Sequence, residues 1–307
     1  MSPTLDKPFT DRIIPSPFRA PPIGGARAYN KPNPSQSVML EPVKQCTARE
    51  VWTRIEDIAP DLPDGVIATD GDGTLWSGDV GEDLFRAFVD QDLVRPEAVD
   101  ALRRVASVHE LSDAGTGQQV ARRIYSAYVE GLFPEQRVCE VMTWCYAGLT
   151  VEEICAFARS VVEGANLVSR IQGEMRYVLD RARSAGIRVV LVSASPTYSV
   201  AEAAKHLGFL EADVVAARPR VVGGVIQPEL DRPIPYGPAK LTRLRETLGP
   251  IPPLVAAFGD NAFDVAMLAE AKIGVAVRPK PRLRERAAEV RGLVELAPEA
   301  NAPEAGP

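Results

Sequence analysis

Short apolar runs alternate with amphipathic segments in two separate stretches of the chain. The runs consist mainly of valine, leucine, isoleucine and alanine, and most are followed by aspartate, serine or glycine, which predicts buried strands. The predicted strands are 66–69, 187–192, 213–217, 254–258 and 273–277. The later runs are separated by helical spacing at 198–207, 239–248, 262–270 and 282–290. This alternation predicts an α/β fold, a Rossmann-like three-layer core with a parallel sheet.

A long helical stretch interrupts this pattern. Six segments with helical periodicity follow one another between about residue 80 and residue 185. The six segments are 81–90, 96–109, 118–132, 134–146, 151–163 and 170–185. Because the insertion follows the loop after the first strand, we expect an all-helical cap above the carboxyl ends of the strands. Open α/β sheets bind their ligands at that edge.

Both ends of the chain differ from the rest. The first 45 residues contain nine prolines and little apolar periodicity, and the last eleven are equally poor in apolar residues, so we expect disorder at both ends. Thr47 and Glu50 have the spacing of a capping box, and ordered structure is expected to begin there. The predicted division is a disordered arm at 1–45, a core at 46–79 and 186–296, a cap at 80–185 and a disordered tail at 297–307.

The composition narrows the classes of function. Lys and Arg number 35 against 41 Asp and Glu, and the resulting net charge of -6 argues against a nucleic-acid-binding protein, which usually carries a basic face. No apolar run approaches the ~18 residues that cross a bilayer, and the first residues lack the apolar segment of a signal peptide. We therefore expect a cytoplasmic protein that binds a small molecule and neither nucleic acid nor membrane.

The strongest chemical signal is the sequence Asp-Gly-Asp-Gly-Thr at 70–74, directly after the first predicted strand. Two carboxylates two residues apart at a strand end can converge on one ligand. An EF-hand calcium loop also opens with Asp-x-Asp, but it needs Gly at its sixth position and Glu at its twelfth, where Leu75 and Gly81 stand here. From these residues alone, a simple Asp/Gly turn is the remaining alternative.

Three more candidates lie at strand ends or helix starts. Asp260 and Asp264 follow a later strand and lie one helical turn apart, on the same face. Helix capping by Asp260 or Asn261 is the structural alternative. Ser193 follows the strand at 187–192, and Lys240 opens a helix. The ordinary alternative for Ser193 is a helix cap, and that for Lys240 is a solvated side chain.

The order of these motifs along the chain resembles that of the haloacid dehalogenase superfamily of phosphohydrolases. The order is D-x-D-G-T, the serine at a strand end, the lysine at a helix start and G-D-x-x-x-D. The resemblance covers roughly residues 60–290 and is closest to the phosphoserine-phosphatase-like branch, whose helical cap is inserted between the first two motifs. It implies a Mg²⁺-dependent phosphomonoester hydrolase that acts on a small phosphorylated metabolite through an aspartyl-phosphate. A phosphotransferase with an acceptor hydroxyl and an inactive binding or regulatory protein are the alternatives.

The resemblance also implies roles for individual residues. Asp70 would be the nucleophile, and Asp72 would be the general acid and base. Mg²⁺ would be held by Asp70, the Asp72 carbonyl and Asp260, with Asp264 in support. This fits the preference of Mg²⁺ for oxygen ligands, and a cation reduces the repulsion between a carboxylate and a phosphate ester. The residues implied to bind the phosphoryl group are Ser193, Lys240, Gly73 and Thr74.

The substrate is less well defined by these motifs. Phosphoserine phosphatases have asparagine where this chain has Phe263, and glutamate where it has Asp79. Asp79 and Glu82 place negative charge near the entrance, and Trp76 offers a flat apolar face, so we expect a cationic leaving group. Phosphoserine, phosphoethanolamine and phosphocholine carry such a group. The alternative is that Glu82 is solvated and Trp76 packs between cap and core.

Overall fold

The structure, a computed structural model, describes residues 43–249 and 252–298. Almost all of the predicted N-terminal arm and C-terminal tail lies outside these residues. The arm was expected to reach residue 45, whereas strand β1 (Lys44–Cys46) belongs to the sheet, and we propose that the core begins at this strand. A strand of three residues is too short to give an alternating or continuous apolar pattern, and it was therefore missed.

Seven parallel strands form one sheet in the order β1-β9-β8-β7-β2-β3-β4, which confirms the predicted α/β class. The predicted strands are all present, and the missed strands are β1 and β9 at one edge. The strands after β1 are β2 (Val66–Thr69), β3 (Arg188–Pro196), β4 (Val214–Ala217), β7 (Leu254–Gly259), β8 (Ile273–Val277) and β9 (Val294–Leu296). Between them, β5 (Pro219–Val222) and β6 (Val225–Leu230) form a separate antiparallel hairpin.

Helices cover both faces of this sheet, and its central strands are therefore buried on both sides. Thr47 caps helix α1 in a complete capping box with Glu50, as the sequence predicts. The helices that flank the sheet are α1 (Ala48–Ile58), α8 (Gly173–Ser184), α9 (Thr197–Lys205), α10 (Pro238–Leu248), α11 (Val265–Glu270) and α12 (Pro281–Glu285). No helix among the described residues is long and apolar enough to cross a membrane.

The helical insertion has its own apolar cluster. Phe88 makes edge-on contacts with the rings of Tyr146 and Phe157 at its centre, and Ile226 of the hairpin joins it. The helices of the insertion are α2 (Val80–Asp90), α3 (Pro96–Val108), α4 (Gly117–Val129), α5 (Glu135–Trp144), α6 (Val151–Gly164) and α7 (Leu167–Arg170). All of these helices precede α8 in the chain.

Helix α8 packs elsewhere, against α1 and the sheet. Its buried Val178 and Ala182 belong to the same apolar cluster as Trp52 and Ile55 of α1. We therefore propose that the cap ends before α8 and not at residue 185. The helical periodicity of α8 does not reveal which surface the helix covers, and so the sequence grouped it with the helices before it.

Candidate active site

Asp70 lies at the carboxyl end of β2, a central strand of the sheet. Its backbone N–H donates to the carbonyl oxygen of Phe258 at 2.9 Å, which ties the end of β2 to β7. Lys240 Nζ donates to Asp70 Oδ1 at 2.5 Å, and Thr74 Oγ1 donates to Asp70 Oδ2 at 3.1 Å. The residue is only 3% exposed. Both carboxylate oxygens are thus held in place at the strand end.

The turn after Asp70 depends on Gly73, which has a φ of +86°. A Cβ at this position would lie 2.1 Å from Asp260 Oδ2, so any side chain would collide with the second acidic motif. The Gly73 N–H donates to the Trp76 carbonyl at 2.8 Å and closes the turn. The glycine at 73 therefore lets the Asp70 and Asp260 loops lie against each other.

Asp72 accepts three hydrogen bonds. Trp76 Nε1 at 2.8 Å and the Val80 N–H at 2.7 Å donate to its Oδ1, and Ser195 Oγ at 2.8 Å donates to its Oδ2. Burial and the nearby charge of Asp70 raise the pKa of Asp72, although the three donors oppose this shift. A carboxyl group with a raised pKa can hold a proton closer to neutral pH, as a general acid must.

Lys240 and Asp264 form a buried ion pair behind Asp70. Lys240 is fully buried near the start of α10, and its Nζ donates to Asp264 Oδ1 as well as to Asp70. Asp264 Oδ2 accepts the backbone N–H groups of Asp260 at 3.1 Å and Asn261 at 2.9 Å. Burial lowers the pKa of Lys240, but Asp264 and Asp70 outweigh it and the net shift is upward, so the lysine is charged.

The residues present fit a divalent cation. Oxygen atoms of Asp70, Asp260 and Asp264 lie within 4.8 Å of one another. Asp260 Oδ1 is buried and has no hydrogen-bond partner among the described residues, whereas Lys280 Nζ lies 2.9 Å from Asp260 Oδ2. Burial and the charge of Asp70 raise the pKa of Asp260 to about 7, against the opposing effect of Lys280. A cation with oxygen ligands would satisfy the unpaired oxygen.

A cavity of about 290 Å³ opens above these carboxylates. The core lines it with acids, serines and one lysine: Asp70, Asp72, Ser193, Ser195 and Lys280. The insertion lines it with Asp79, Glu82, Tyr128 and one face of α5, on which Glu135, Val138, Cys139 and Met142 recur at helical spacing. Tyr236 and Phe263 also line it, and their rings contact each other at a tilt with centroids 4.9 Å apart. The cavity therefore has one acidic end in the core and a second acidic end on the insertion.

Most residues predicted from the sequence lie together at this cavity. Ser193 lines it, and its Oγ accepts the Ser195 N–H at 3.0 Å. Asp79 and Glu82 line it on the insertion side. Lys240 does not line it, since its ammonium group is buried against Asp70 and Asp264.

The structure does not place Trp76 in the cavity. Its side chain is fully buried in the core, and its indole N–H holds Asp72. The ring therefore presents no exposed face to a cationic leaving group, and its burial is what the packing alternative expects. A tryptophan next to a motif gives no indication in sequence of whether its face is free or covered.

Ser195, Lys280 and Glu135 are among the cavity residues that were not predicted as site residues. Ser195 lies two residues after Ser193 on the same strand, so both side chains lie on the same side of it. The alternation of side chains along a strand could therefore have identified Ser195 from the sequence. Lys280 lies between two prolines just after β8, at the carboxyl edge of the sheet. Glu135 gave no signal, because a single acid in the first turn of a helix is common.

The comparisons with known proteins agree with this geometry. A model of the haloacid dehalogenase-like hydrolase family matches residues 67–269, more than half of the chain. No curated protein matches the sequence.

Solved structures show a related fold. A protein of unknown function from Bordetella pertussis Tohama I is 19% identical, with 76% of this chain and 97% of that one covered and a TM-score of 0.55. A functionally unknown protein from Anaerococcus prevotii DSM 20548 is 16% identical, with coverages of 82% and 92% and a TM-score of 0.60. A substrate-bound phosphoserine phosphatase complex is 18% identical, with coverages of 75% and 92% and a TM-score of 0.42. The resemblance seen in the motifs is confirmed, and the chain belongs to the haloacid dehalogenase-like hydrolase family.

Proposed function

We propose that this protein is a phosphomonoesterase that works through an aspartyl-phosphate intermediate on Asp70. The observation that carries the proposal is that Asp70 and Asp72 line one cavity in different environments. Asp70 is held by a lysine and a hydroxyl group, as suits an ionised nucleophile. Asp72 has a raised pKa, as suits a general acid.

The first step transfers the phosphoryl group to Asp70. A carboxylate oxygen of Asp70 attacks phosphorus, the bond from phosphorus to the ester oxygen breaks, and Asp72 gives its proton to the departing alcohol. In the second step, Asp72 takes a proton from a water molecule that attacks the phosphorus. Orthophosphate leaves, and the Asp70 carboxylate and the protonated Asp72 are restored.

The carboxylates of Asp70 and Asp260, with the carbonyl oxygen of Asp72, would hold Mg²⁺. When bound, the ion would reduce the repulsion between the anionic substrate and the anionic nucleophile. Asp264 is engaged by Lys240 and by two backbone N–H groups, so its part in this site is to hold the lysine and the Asp260 loop. The Ser193 side chain lines the cavity and would bind a phosphoryl oxygen.

The leaving group would be a small amino-alcohol. Asp79, Glu82 and Glu135 line the insertion end of a cavity of about 290 Å³, which suits a short cationic group. Burial, Asp72 and Glu82 raise the pKa of Asp79 well above its ordinary value, and a bound cation would relieve that cost of ionisation. Phosphoserine, phosphoethanolamine and phosphocholine meet these requirements. We also propose that the protein is cytoplasmic.

The direct test is turnover of p-nitrophenyl phosphate with Mg²⁺, with and without EDTA, followed by a panel of amino-alcohol and sugar phosphates. We expect turnover that EDTA abolishes and Mg²⁺ restores, and a preference for the amino-alcohol esters. Added alcohol acceptors distinguish a phosphotransferase, which would form a new phosphate ester from them. No turnover of any ester would favour the inactive binding protein.

A further inference from the structure

We propose that the hairpin of β5 and β6 positions helix α5, and that Ile226 of this hairpin is a positioning residue for the selection of the leaving group. This inference rests on the proposed phosphatase function. The hairpin, all of which the structure describes, contributes no residue to the cavity of the candidate active site. Any effect of the hairpin on selectivity must therefore pass through the residues that it contacts.

The chain connects the hairpin to the core. The hairpin follows β4, which belongs to the parallel sheet, and the Asp231 N–H donates to the Arg218 carbonyl at 3.1 Å where the hairpin returns. Its turn consists of Gly223 and Gly224, which have φ angles of +57° and +80°, a conformation that favours glycine. The hairpin therefore leaves the sheet as a separate two-stranded element.

The hairpin pairs with the turn between α5 and α6 of the insertion. The Gly148 N–H donates to the Ile226 carbonyl at 3.0 Å, and the Ile226 N–H donates to the Leu149 carbonyl at 2.9 Å. The Val151 N–H donates to the Gly224 carbonyl at 3.0 Å. These three bonds tie the carboxyl end of α5 to the core, in addition to the peptide chain at the two ends of the insertion.

Apolar packing reinforces these backbone bonds. Ile226 is only 1% exposed and lies in the apolar cluster of the insertion, together with Val138 and Val141 of α5. Leu230, at the far end of β6, packs against the same cluster and against a smaller one that contains Ala194 of β3. Strand β6 therefore packs against α5 and joins it to the core.

Helix α5 faces the cavity on one side and the hairpin on the other. The residues that line the cavity of the candidate active site are Glu135, Val138, Cys139 and Met142. The residues that line a second cavity, together with Pro228 of β6, are Arg137, Glu140, Val141 and Trp144. At about 3.6 residues per turn, the two sets lie on opposite sides of the helix. A change in the hairpin should therefore displace the cavity face of α5.

The rival role for Ile226 is to stabilise the fold alone. A residue with that role would change the melting temperature, or would affect every ester equally. A residue that positions α5 would affect mainly the esters whose leaving group is recognised by the charge on that helix. The two roles therefore differ in the ratio of kcat/KM between a cationic and a neutral ester.

The experiment compares the wild-type protein with Ile226→Ala, and with Ile55→Ala as a matched control. Ile55 is an equally buried isoleucine of α1, in the apolar cluster of the core. We expect both variants to melt several degrees lower than the wild type. Ile226→Ala should also lower kcat/KM for phosphoethanolamine by about fivefold, mainly through KM, and that for p-nitrophenyl phosphate by less than about twofold. Ile55→Ala should keep the wild-type ratio of the two values.

A ratio in Ile226→Ala equal to the wild-type ratio would overturn the proposal, whether both activities are unchanged or fall together. Leu230→Ala, at the less buried end of β6, replaces Ile226→Ala if that variant does not fold. If the wild type hydrolyses no ester, or none with an amine, the proposed function fails. Hydrogen exchange of the α5 amides then still tests the positioning role. Faster exchange in Ile226→Ala than in Ile55→Ala would support that role, and equal exchange would overturn it.

Discussion

The two ends of the cavity are built differently. At the core end, both oxygens of Asp70 and of Asp72 accept hydrogen bonds from side chains or backbone that adjoining strands and helices supply. At the insertion end, Glu82 accepts from the Tyr125 hydroxyl at 2.8 Å, and Glu135 lies 3.4 Å from the Tyr236 hydroxyl. The nearest cation to Glu135 is the largely exposed Arg282, 3.8 Å away.

Under the proposed function, this difference separates the residues that carry out the chemistry from those that select the substrate. The core end is fixed by several hydrogen bonds for each carboxylate, which suits groups that must keep their geometry through a reaction. The insertion end holds acids with few cationic partners, and these acids gain most from a cationic ligand. Variants at the core end should therefore affect every substrate, and variants at the insertion end should affect only some.

The largest effect is expected at Asp70. Asp70→Asn removes the attacking charge and a metal ligand together, and should lower kcat by at least about a thousandfold on every ester. The fold should persist, because the amide can still accept from Thr74. Steady-state kinetics and the thermal midpoint test this, with Asp57→Asn on the exposed side of α1 as the control. Substantial turnover by a folded Asp70→Asn protein would remove Asp70 from its role.

The next largest effect is expected at Asp72. Asp72→Asn keeps the backbone carbonyl but loses the proton, so the first step depends on the leaving group alone. An alkyl phosphate should lose about 100-fold or more, and p-nitrophenyl phosphate much less, because a phenolate of low pKa leaves without protonation. The aspartyl-phosphate should also accumulate, because no base activates water. Rapid-quench labelling measures its lifetime, and an unchanged lifetime would show that Asp72 is not the base.

The core end was largely predictable because its signals are local. The predicted residues of this end each follow a strand or open a helix, and parallel strands bring their carboxyl ends to one edge. These residues are Asp70, Asp72, Ser193 and Lys240. The hydrogen bond from Ser195 to Asp72 joins residues 123 positions apart, and the burial of Trp76 also depends on segments distant in the chain, which no local pattern encodes.

The insertion end was much less predictable. Its helices were expected, and Asp79 and Glu82 adjoin the first motif. Glu135 reaches the cavity only because α5 turns one face toward β3, and that depends on how the helices pack. The proposed end of the insertion, before α8, differs from the expected one for the same reason, because α8 resembles the helices before it in sequence but packs on the sheet.

Asp260 provides a pH test that reports on the core end without turnover. Its pKa in the folded protein is raised to about 7, and that of Asp264 to about 6, from an ordinary 3.8. Between about pH 4 and 7 the folded protein therefore binds more protons than the unfolded chain, so metal-free stability should fall as pH rises. Melting in EDTA from pH 5 to 8 should show a decline of a few degrees.

Asp260→Asn should reduce this decline and abolish the stabilisation by Mg²⁺, which requires the deprotonated carboxylate. Some slope should remain, since the pKa values of Asp72 and Asp79 are also raised. A melting temperature that rises with pH in EDTA would contradict the raised pKa of Asp260.

A smaller effect is expected where Asp72 is held. Trp76→Phe and Ser195→Ala each remove one donor to its carboxylate, worth about 1 kcal/mol, and each should lower kcat by about fivefold to tenfold. The loss should shift the alkaline limb of the kcat/KM profile to higher pH, because Asp72 must be protonated in the first step and these donors lower its pKa. Trp144→Phe, a buried tryptophan of the insertion, is the control for packing alone. A change in KM without a change in the pH profile would mean that the two donors do not act through Asp72.

The smallest and most selective effect is expected at Glu135. Glu135→Gln keeps the shape of the side chain and removes its charge, so it should cost about threefold to tenfold in kcat/KM for phosphoethanolamine, the range of a partly exposed ion pair. The same variant should leave p-nitrophenyl phosphate unaffected, because the neutral aryl group gains nothing from the carboxylate. Glu140→Gln on the same helix is the matched control, since Glu140 pairs with Arg137 and does not line this cavity. Equal losses on the two esters would mean that Glu135 supports the position of α5 against Tyr236 and does not recognise a cation. A gain on a sugar phosphate, which carries no cation, would leave the charge argument intact, because the amide group of glutamine can donate a hydrogen bond to a neutral hydroxyl group, whereas an ionised carboxylate can only accept one.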